Sequence, residues 1–512
     1  MKFLSNSRLV FLILSVLLIV SKLITLFNFS FIYTGNDDLI FWQIANDYSQ
    51  GIFHEPFMYG QNYNYAIESL FAVPLLKLGI PLAYAMPITT MWMSVLPFLL
   101  FAIGFYRKKW FLASYIFLTI PVLMPIEYDI ITTITRGFIN GLFFSSFLIF
   151  PLLNPNKISS FIVFGLFASL GFVTNPNSIL VAFPIGLYLF FTNFKNWKFY
   201  VFTVISMTPT LVAYYFSKQF YLYQPDFVVH EMWDLNYATT RVWETINHLD
   251  RSFAYLTPVT WGIHWLILPV IMIGSLFMIK KDWRLGLSIL FGMIFLIFSL
   301  GINKVEEGVD SIFFSPTRMF LGVPILLALT IAWFFRNKWN PKIALVIVAF
   351  SIVFVSIKLF SVESVVERHT AIKNYGPVSI KEIKKICDDC EEIKGLTDMY
   401  NPDCLIFIPT QQMNVPEISF LNFGCELLLD DFTPSFMMHK ERRTWIYREK
   451  IKSTPSTILF VNYEAHKQSL QENIFFEYEI LDEMENILLI KNNTLTINDI
   501  ANVLSLPIER EK

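Results

Sequence analysis

The sequence predicts a mainly helical, polytopic membrane protein with about eleven transmembrane helices and a small soluble α/β domain at its C-terminal end. Three observations carry this. Hydrophobic residues make up 54 % of the 512-residue chain and charged residues only 16 %, against roughly 25 % in soluble proteins. The shortage of charge is confined to residues 1–360, a string of long apolar runs. Residues 361–512 have the charge density of a soluble domain.

The apolar runs cover 9–32, 82–106, 110–126, 138–153, 158–174, 178–193, 199–216, 257–279, 285–302, 316–335 and 343–360. Runs of about 20 apolar residues are long enough to cross a bilayer. The first, Leu9 to Ile32, is too long for the apolar core of a signal peptide and has no small-residue cleavage pattern, so it reads as an uncleaved first helix. Ala66 to Ile80 is shorter and is interrupted by Pro74 and Lys77, which suits a helix lying in the membrane interface.

Orientation follows from the cationic residues. The segments that fall inside if the N-terminus is inside hold fourteen Lys and Arg, and the longer opposite segments before residue 360 hold six. That imbalance places the N-terminus in the cytoplasm, the membrane as the inner (plasma) membrane, and 361–512 outside the cell membrane. Acidic residues gather on the outer side, which suggests that the chemistry is there. The domain reading is a transmembrane module over 1–360 with a functional outer loop over 33–80, and an extracytoplasmic α/β domain over 361–512. With a net charge of -2 and no basic cluster interleaved with aromatics, a nucleic-acid partner is excluded.

The first outer loop opens with adjacent carboxylates, Asp37 and Asp38. Leu39, Trp42, Ile44, Ala45 and Tyr48 then follow a helical pattern, and Gly51 stops it. A second aromatic stretch leads to Tyr59, Gly60, Gln61, Tyr63 and Glu68. On residue type alone, Asp37 and Asp38 are either an acid pair with chemistry or the cap of a helix start, since Asp is a strong N-cap.

With these residues the sequence resembles the GT-C membrane glycosyltransferases, the protein-mannosyltransferase and aminoarabinose-transferase type. Those enzymes carry an acidic pair in the first outer loop and then an aromatic-Ala-Gly pattern, met here by Asp37-Asp38, Trp42, Ala45 and Gly51. Many bacterial relatives continue with a segment like Tyr59-Gly60-Gln61, Tyr63 and Glu68. The resemblance covers residues 1–220, is loose over the last four spans and is absent from the C-terminal domain. It departs at Asp38, where Glu is usual.

The resemblance implies transfer of a sugar from a polyprenyl-phosphate donor to an acceptor glycan, lipid or protein outside the membrane. Such a reaction needs a carboxylate base for the acceptor hydroxyl, cationic or hydrogen-bonding partners for the leaving phosphate, and an apolar groove for the lipid. Asp37 is the expected base, giving inversion at the anomeric carbon, with Asp38 beside it as catalytic partner or cap. Expected substrate-binding residues are Tyr59, Gln61, Tyr63 and Glu68 in the first loop, Glu127, Asp129 and Arg136 in the second, Arg241 in the fourth, and Arg318 at the start of the tenth span. Glu127, Asp129 and Arg136 read equally well as an ordinary solvated loop with a weak ion pair. A cation just inside an apolar run is costly, so Arg318 reads as a phosphate contact or as a side chain snorkelling to lipid headgroups.

The fourth outer loop, 217–256, is long and holds His230, Glu231, Trp233, Asp234, Tyr237, Trp243, His248 and Asp250 besides Arg241, a set suited to sugar faces and hydroxyls. No ligand spacing selects a metal. A divalent cation remains one reading, and the cofactor is unknown from sequence.

In the C-terminal domain, Leu405–Pro409, Ile458–Asn462 and Ile487–Lys491 read as buried strands. All four cysteines lie here: Cys387, Cys390, Cys404 and Cys425. Disulfides suit an extracytoplasmic domain, while the Cys387-Asp-Asp-Cys390 spacing leaves zinc or free thiols as alternatives. A transporter or flippase of lipid-linked glycans is the competing class. Such proteins show internal repeats and polar groups near the bilayer midplane, and neither is evident here.

Overall fold

The computed structural model describes residues 7–228, 231, 235–306, 311–313, 315–336, 338–371, 380–407, 424–429, 433, 435–437, 454–461, 478–484, 487–492, 496 and 499. In chain order the helices are α1 (Ser7–Thr25), α2 (Asn36–Gln50), α3 (Ile67–Lys77), α4 (Leu82–Arg107), α5 (Phe111–Leu123), α6 (Ile126–Ile131), α7 (Asn140–Ser145), α8 (Ile149–Leu153), α9 (Ile158–Thr174), α10 (Ile179–Asn193), α11 (Trp197–Tyr223), α12 (Thr239–Asn247), α13 (Leu249–Phe253), α14 (Ile267–Ile279), α15 (Trp283–Ser299), α16 (Asn303–Glu306), α17 (Val323–Phe334), α18 (Pro341–Thr370) and α19 (Ile383–Tyr400). The strands are β1 (Tyr33–Gly35), β2 (Ile380–Glu382), β3 (Cys404–Phe407), β4 (Ser435–Met437), β5 (Thr457–Val461), β6 (Tyr478–Met484) and β7 (Ile487–Asn492).

Each of the eleven apolar runs is helical over most of its length. Among the described residues, four helices are long and apolar enough to cross a membrane: 7–30, 82–107, 197–223 and 341–370. The others are shorter apolar helices. The shorter runs are interrupted for local reasons. The run at 138–153 passes through a 3-10 turn at Ser146–Leu148, and the run at 316–335 opens as a 3-10 turn over Pro316–Phe320 before Val323. The chain is an integral membrane protein.

By internal contacts the chain forms two compact units. One is built from Met1–Ser30, Pro87–Phe216 and Trp233–Ile372, the other from Phe31–Met86, Ser217–Met232 and Lys373–Lys512. The grouping does not follow the chain-order division at residue 360, because the first outer loop belongs with the C-terminal segment.

The helical unit packs α5 among α1, α17 and α18. Almost every side chain of α5 from Leu112 to Val122 is buried, as expected of a helix apolar on all sides. The second unit has a five-stranded sheet in the order β4-β3-β5-β7-β6, with β3 parallel to β4 and β5, and β7 antiparallel to β5 and β6. The expected strands at 405, 458 and 487 are thus present, and Pro409 and Asn462 lie outside the described residues. Continuous apolar burial along β3 and β5 marks strands covered on both faces. A two-stranded ladder joins β1 to β2, pairing Tyr33 with Glu382, Thr34 with Lys381 and Gly35 with Ile380. Cys390 and Cys425 form a disulfide, while Cys387 and Cys404 are thiols.

Candidate active site

The chain runs extended through Thr34 and Gly35 and turns directly into α2. The Gly35 N–H donates to Asp38 Oδ2 at 2.8 Å, so Asp38 supplies the cap for this helix start and is itself buried. Asp37, one residue earlier, is half-buried. The pair therefore divides into a capping acid and an acid nearer solvent, both at the positive end of a 15-residue helix. Gly51 ends that helix at φ 80°, a left-handed conformation that favours glycine.

The second motif gathers at the other end of α2. Asp47 accepts from Tyr59 Oη at 2.7 Å and Gln43 Nε2 at 3.0 Å, with His54 Nε2 at 3.8 Å. Glu55 is fully buried and accepts from the Gly60 N–H at 3.0 Å and Tyr221 Oη at 2.8 Å. Burial first, and then the Asp47 carboxylate, push the Tyr59 hydroxyl above its ordinary range; burial, Glu55 and Asp47 push Tyr48 up to about 12. Gln61 and Glu68 are buried and Tyr63 is half-buried. Ten residues of helix separate Asp37 from Asp47, about 15 Å along the axis. Tyr59 therefore belongs to the far end of the helix from Asp37.

In the helical unit Arg136 and Arg318 each stack on an aromatic ring that neighbours the other in sequence. The Arg136 guanidinium lies 5.3 Å from the Phe313 ring centre, and the Arg318 guanidinium lies 5.5 Å from that of Phe138. Gly137, at φ 74°, makes the turn between Arg136 and Phe138. Asn177 Nδ2 donates to Phe138 O at 2.8 Å and to Arg318 O at 3.5 Å, and Asn175 Nδ2 donates to Gly137 O at 2.9 Å. Two asparagines on one turn thus bind the backbones that carry both arginines. Sequence reasoning missed them, although Asn-Pro-Asn at the end of an apolar run is a turn signal.

The other acids of the second loop are held differently. Asp129 is fully buried between two lysines: Lys22 Nζ lies 2.7 Å from Oδ1 and Lys358 Nζ 2.5 Å from Oδ2. Lys22 also donates to Thr132 Oγ1 at 3.0 Å and Lys358 to Ser21 Oγ at 2.9 Å. Glu127 Oε1 lies 3.4 Å from His369 Nε2 and 4.0 Å from Arg368. Burial alone raises its proton affinity, but the hydrogen bond to His369 and the Arg368 charge outweigh it and hold the carboxyl below its usual range. Lys22 and Lys358 are also absent from the sequence expectations, although a single cation inside an apolar run is the signal that singled out Arg318.

Arg241 is half-buried and donates to Asn236 O at 2.9 Å. Asp250 accepts the backbone N–H groups of His264 and Trp265 at 2.7 and 3.1 Å, and Trp243 is exposed. His230, Trp233 and Asp234 lie outside the described residues. Among the described residues no group of three or more His, Cys, Asp or Glu is arranged to hold a metal.

No family profile and no curated protein matches the sequence. Solved structures do. ArnT from Cupriavidus metallidurans in the apo state superposes with a TM-score of 0.56 at 10 % identity, covering 93 % of this chain and 97 % of that one. The chain shares the fold of ArnT. ArnT from the same organism bound to undecaprenyl phosphate gives a TM-score of 0.52 at 11 % identity over the same shares. The likeness includes the C-terminal segment, which the sequence motifs did not reach.

Proposed function

We propose that this protein is an integral membrane glycosyltransferase that moves a sugar from a polyprenyl-phosphate donor to an acceptor glycan, lipid or protein outside the membrane, with inversion. The observation that carries the reading is fold likeness over nearly the whole chain to ArnT, one of whose structures is bound to undecaprenyl phosphate. Asp37, half-buried at a helix start whose cap is supplied by Asp38, supports the mechanism.

In that mechanism an acceptor oxygen attacks the anomeric carbon of the donor. Its proton passes to the Asp37 carboxylate. The bond from the anomeric carbon to the phosphate oxygen breaks, and the electron pair leaves with the polyprenyl phosphate. Attack opposite the leaving group inverts the centre. The leaving phosphate develops charge, and two guanidinium groups suit it. We assign Arg136 and Arg318 to that phosphate because the structure carries both on one asparagine-bound turn system. Asp129 and Glu127 are assigned to structure, since cationic partners hold them. Tyr59 is assigned to fixing Asp47. The imbalance of Lys and Arg orients the chain with its N-terminus in the cytoplasm and 361–512 outside.

The test is purified protein in detergent with a panel of undecaprenyl-phosphate sugars, pentose, hexose and aminopentose, followed by chromatography of released undecaprenyl phosphate. Release with at least one donor, dependent on an added lipid or glycan acceptor, supports the proposal. Intact donor throughout the panel, together with movement of lipid-linked glycan across proteoliposomes, contradicts it in favour of transport.

A further inference from the structure

The acid assigned to the chemistry is mounted by the C-terminal segment. β1 ends at Gly35, two residues before Asp37, and forms a ladder with β2, some 345 residues later in the chain. The junction is closed by the Ile383 N–H, which donates to Ile32 O at 2.7 Å. Ile383 is also the first residue of α19. The same elements share one core: Leu39, Ile40, Trp42 and Ile44 of α2 belong to the buried cluster that contains Ile383, Ile386 and Cys390 of α19.

The disulfide extends this mount. It ties Cys390 of α19 to Cys425 across a Cα–Cα distance of 5.3 Å. Next to Cys425, Gly424 is pressed on α19, where a Cβ would stand 2.8 Å from Ile386 Cγ2, and lies within ordinary contact of α2, 4.0 Å from Leu39 Cδ1. Lys381, paired with Thr34 in the ladder, is itself held at 2.5 Å by Asp389 of α19. The Ile383 N–H and the shared core run from α19 to the strand and helix that flank Asp37, and the disulfide and the Lys381–Asp389 pair brace α19 itself.

We infer that β2, the Ile383 N–H and the Cys390–Cys425 disulfide are positioning elements for Asp37, so that the C-terminal segment takes part in the reaction by aiming the base. This rests on the reading of Asp37 as general base. A general base must stand within hydrogen-bond reach of the proton it takes, and a displacement of 1 Å at a reacting group costs on the order of 100-fold in rate.

Ile383→Pro tests the inference. The first position of a helix tolerates proline, and Glu382 before it already has the extended backbone that proline demands (φ -63°, ψ 130°). The change removes the N–H bonded to Ile32 and leaves the helix start intact. Ile383→Ala is the control: it trims the side chain and keeps the N–H. Full-length protein is compared by hydrogen exchange of the 31–41 peptide and by turnover of the donor that the panel selects. The expected result is loss of protection in 31–41 and a roughly 10- to 100-fold fall in kcat for Ile383→Pro, with donor KM unchanged and with Ile383→Ala near wild type. In an Asp37→Asn background the proline should cost nothing further, because the base it aims is gone. Equal protection and turnover in the proline and alanine variants overturn the inference, as do losses that simply multiply with Asp37→Asn. Asp37→Asn turning over at the wild-type rate overturns the base reading, and this one with it. If Ile383→Pro does not fold, Cys390→Ser with Cys425→Ser is measured in the same way and judged by the same outcomes.

Discussion

The two units treat buried carboxylates in opposite ways. In the helical unit, Asp129 is matched by two ammonium groups from α1 and α18, and Glu127 by His369 and Arg368. In the other unit, among the described residues, Asp38, Asp47 and Glu55 accept from backbone N–H groups, tyrosine hydroxyls and a glutamine amide, and His54 stands 3.8 Å from Asp47. A bare carboxylate in an apolar bundle has no water to fall back on, so it is retained with cations that come from helices it must join. The hydrogen-bond donors described for Asp38, Asp47 and Glu55 are neutral groups. Acids that pin helices are thus recognisable by lysine partners.

The comparison breaks first at Asp129. Replacing it with Ala leaves two ammonium groups facing each other inside the bundle, and loss of one member of a buried pair typically costs about 3–5 kcal/mol. Thermal unfolding of the detergent-solubilised protein should show the loss, and Asp129→Leu combined with Lys22→Met and Lys358→Met should regain most of it. A single Asp129→Ala variant of wild-type stability would remove the pin. Next in size is Arg318→Ala, which should weaken donor binding by roughly 1.5–3 kcal/mol, the worth of a charge-assisted hydrogen bond, with little change in unfolding temperature. Unchanged donor titration would reject the phosphate assignment.

The smallest effect is on pH dependence. Because the folded Glu127 carboxyl titrates below its unfolded value of 4.5, its contribution to stability is present above that pH and disappears as the pH falls through the folded value. His369→Ala removes the hydrogen bond that lowers it. The variant should therefore lose less stability than wild type between pH 5 and 3, measured by unfolding temperature. A steeper acid loss in the variant would contradict the pairing.

What could be read from the sequence follows the range of the interaction. Helical runs, the left-handed Gly51 and the capping capacity of Asp38 are local, and each is visible in a few neighbouring residues. Arg318 was visible as a charge in a costly place and Arg136 through the family resemblance, but the link between their backbones depends on Asn177, whose amide reaches across 141 residues to Arg318 O. The Tyr33–Gly35 ladder was invisible because three residues carry no alternation and their partners lie at the other end of the chain. Lys22 and Lys358 were legible and passed over: each is a lone cation in an apolar run, and applying to them the cost argument used for Arg318 would have marked both. The expectation that Asp129 binds substrate overlooked them as partners for that acid.

The central claim is that Asp37 accepts the acceptor's proton, and Asp37→Asn tests it most directly. Asparagine keeps the shape of the side chain and caps helices as well as aspartate, so folding should survive. Donor binding should survive as well, because the phosphate contacts are assigned to Arg136 and Arg318. Turnover of an undecaprenyl-phosphate sugar and donor affinity are measured on the same purified variant. The account predicts a rate lower by about 100- to 10,000-fold at unchanged affinity. Turnover at the wild-type rate would contradict it.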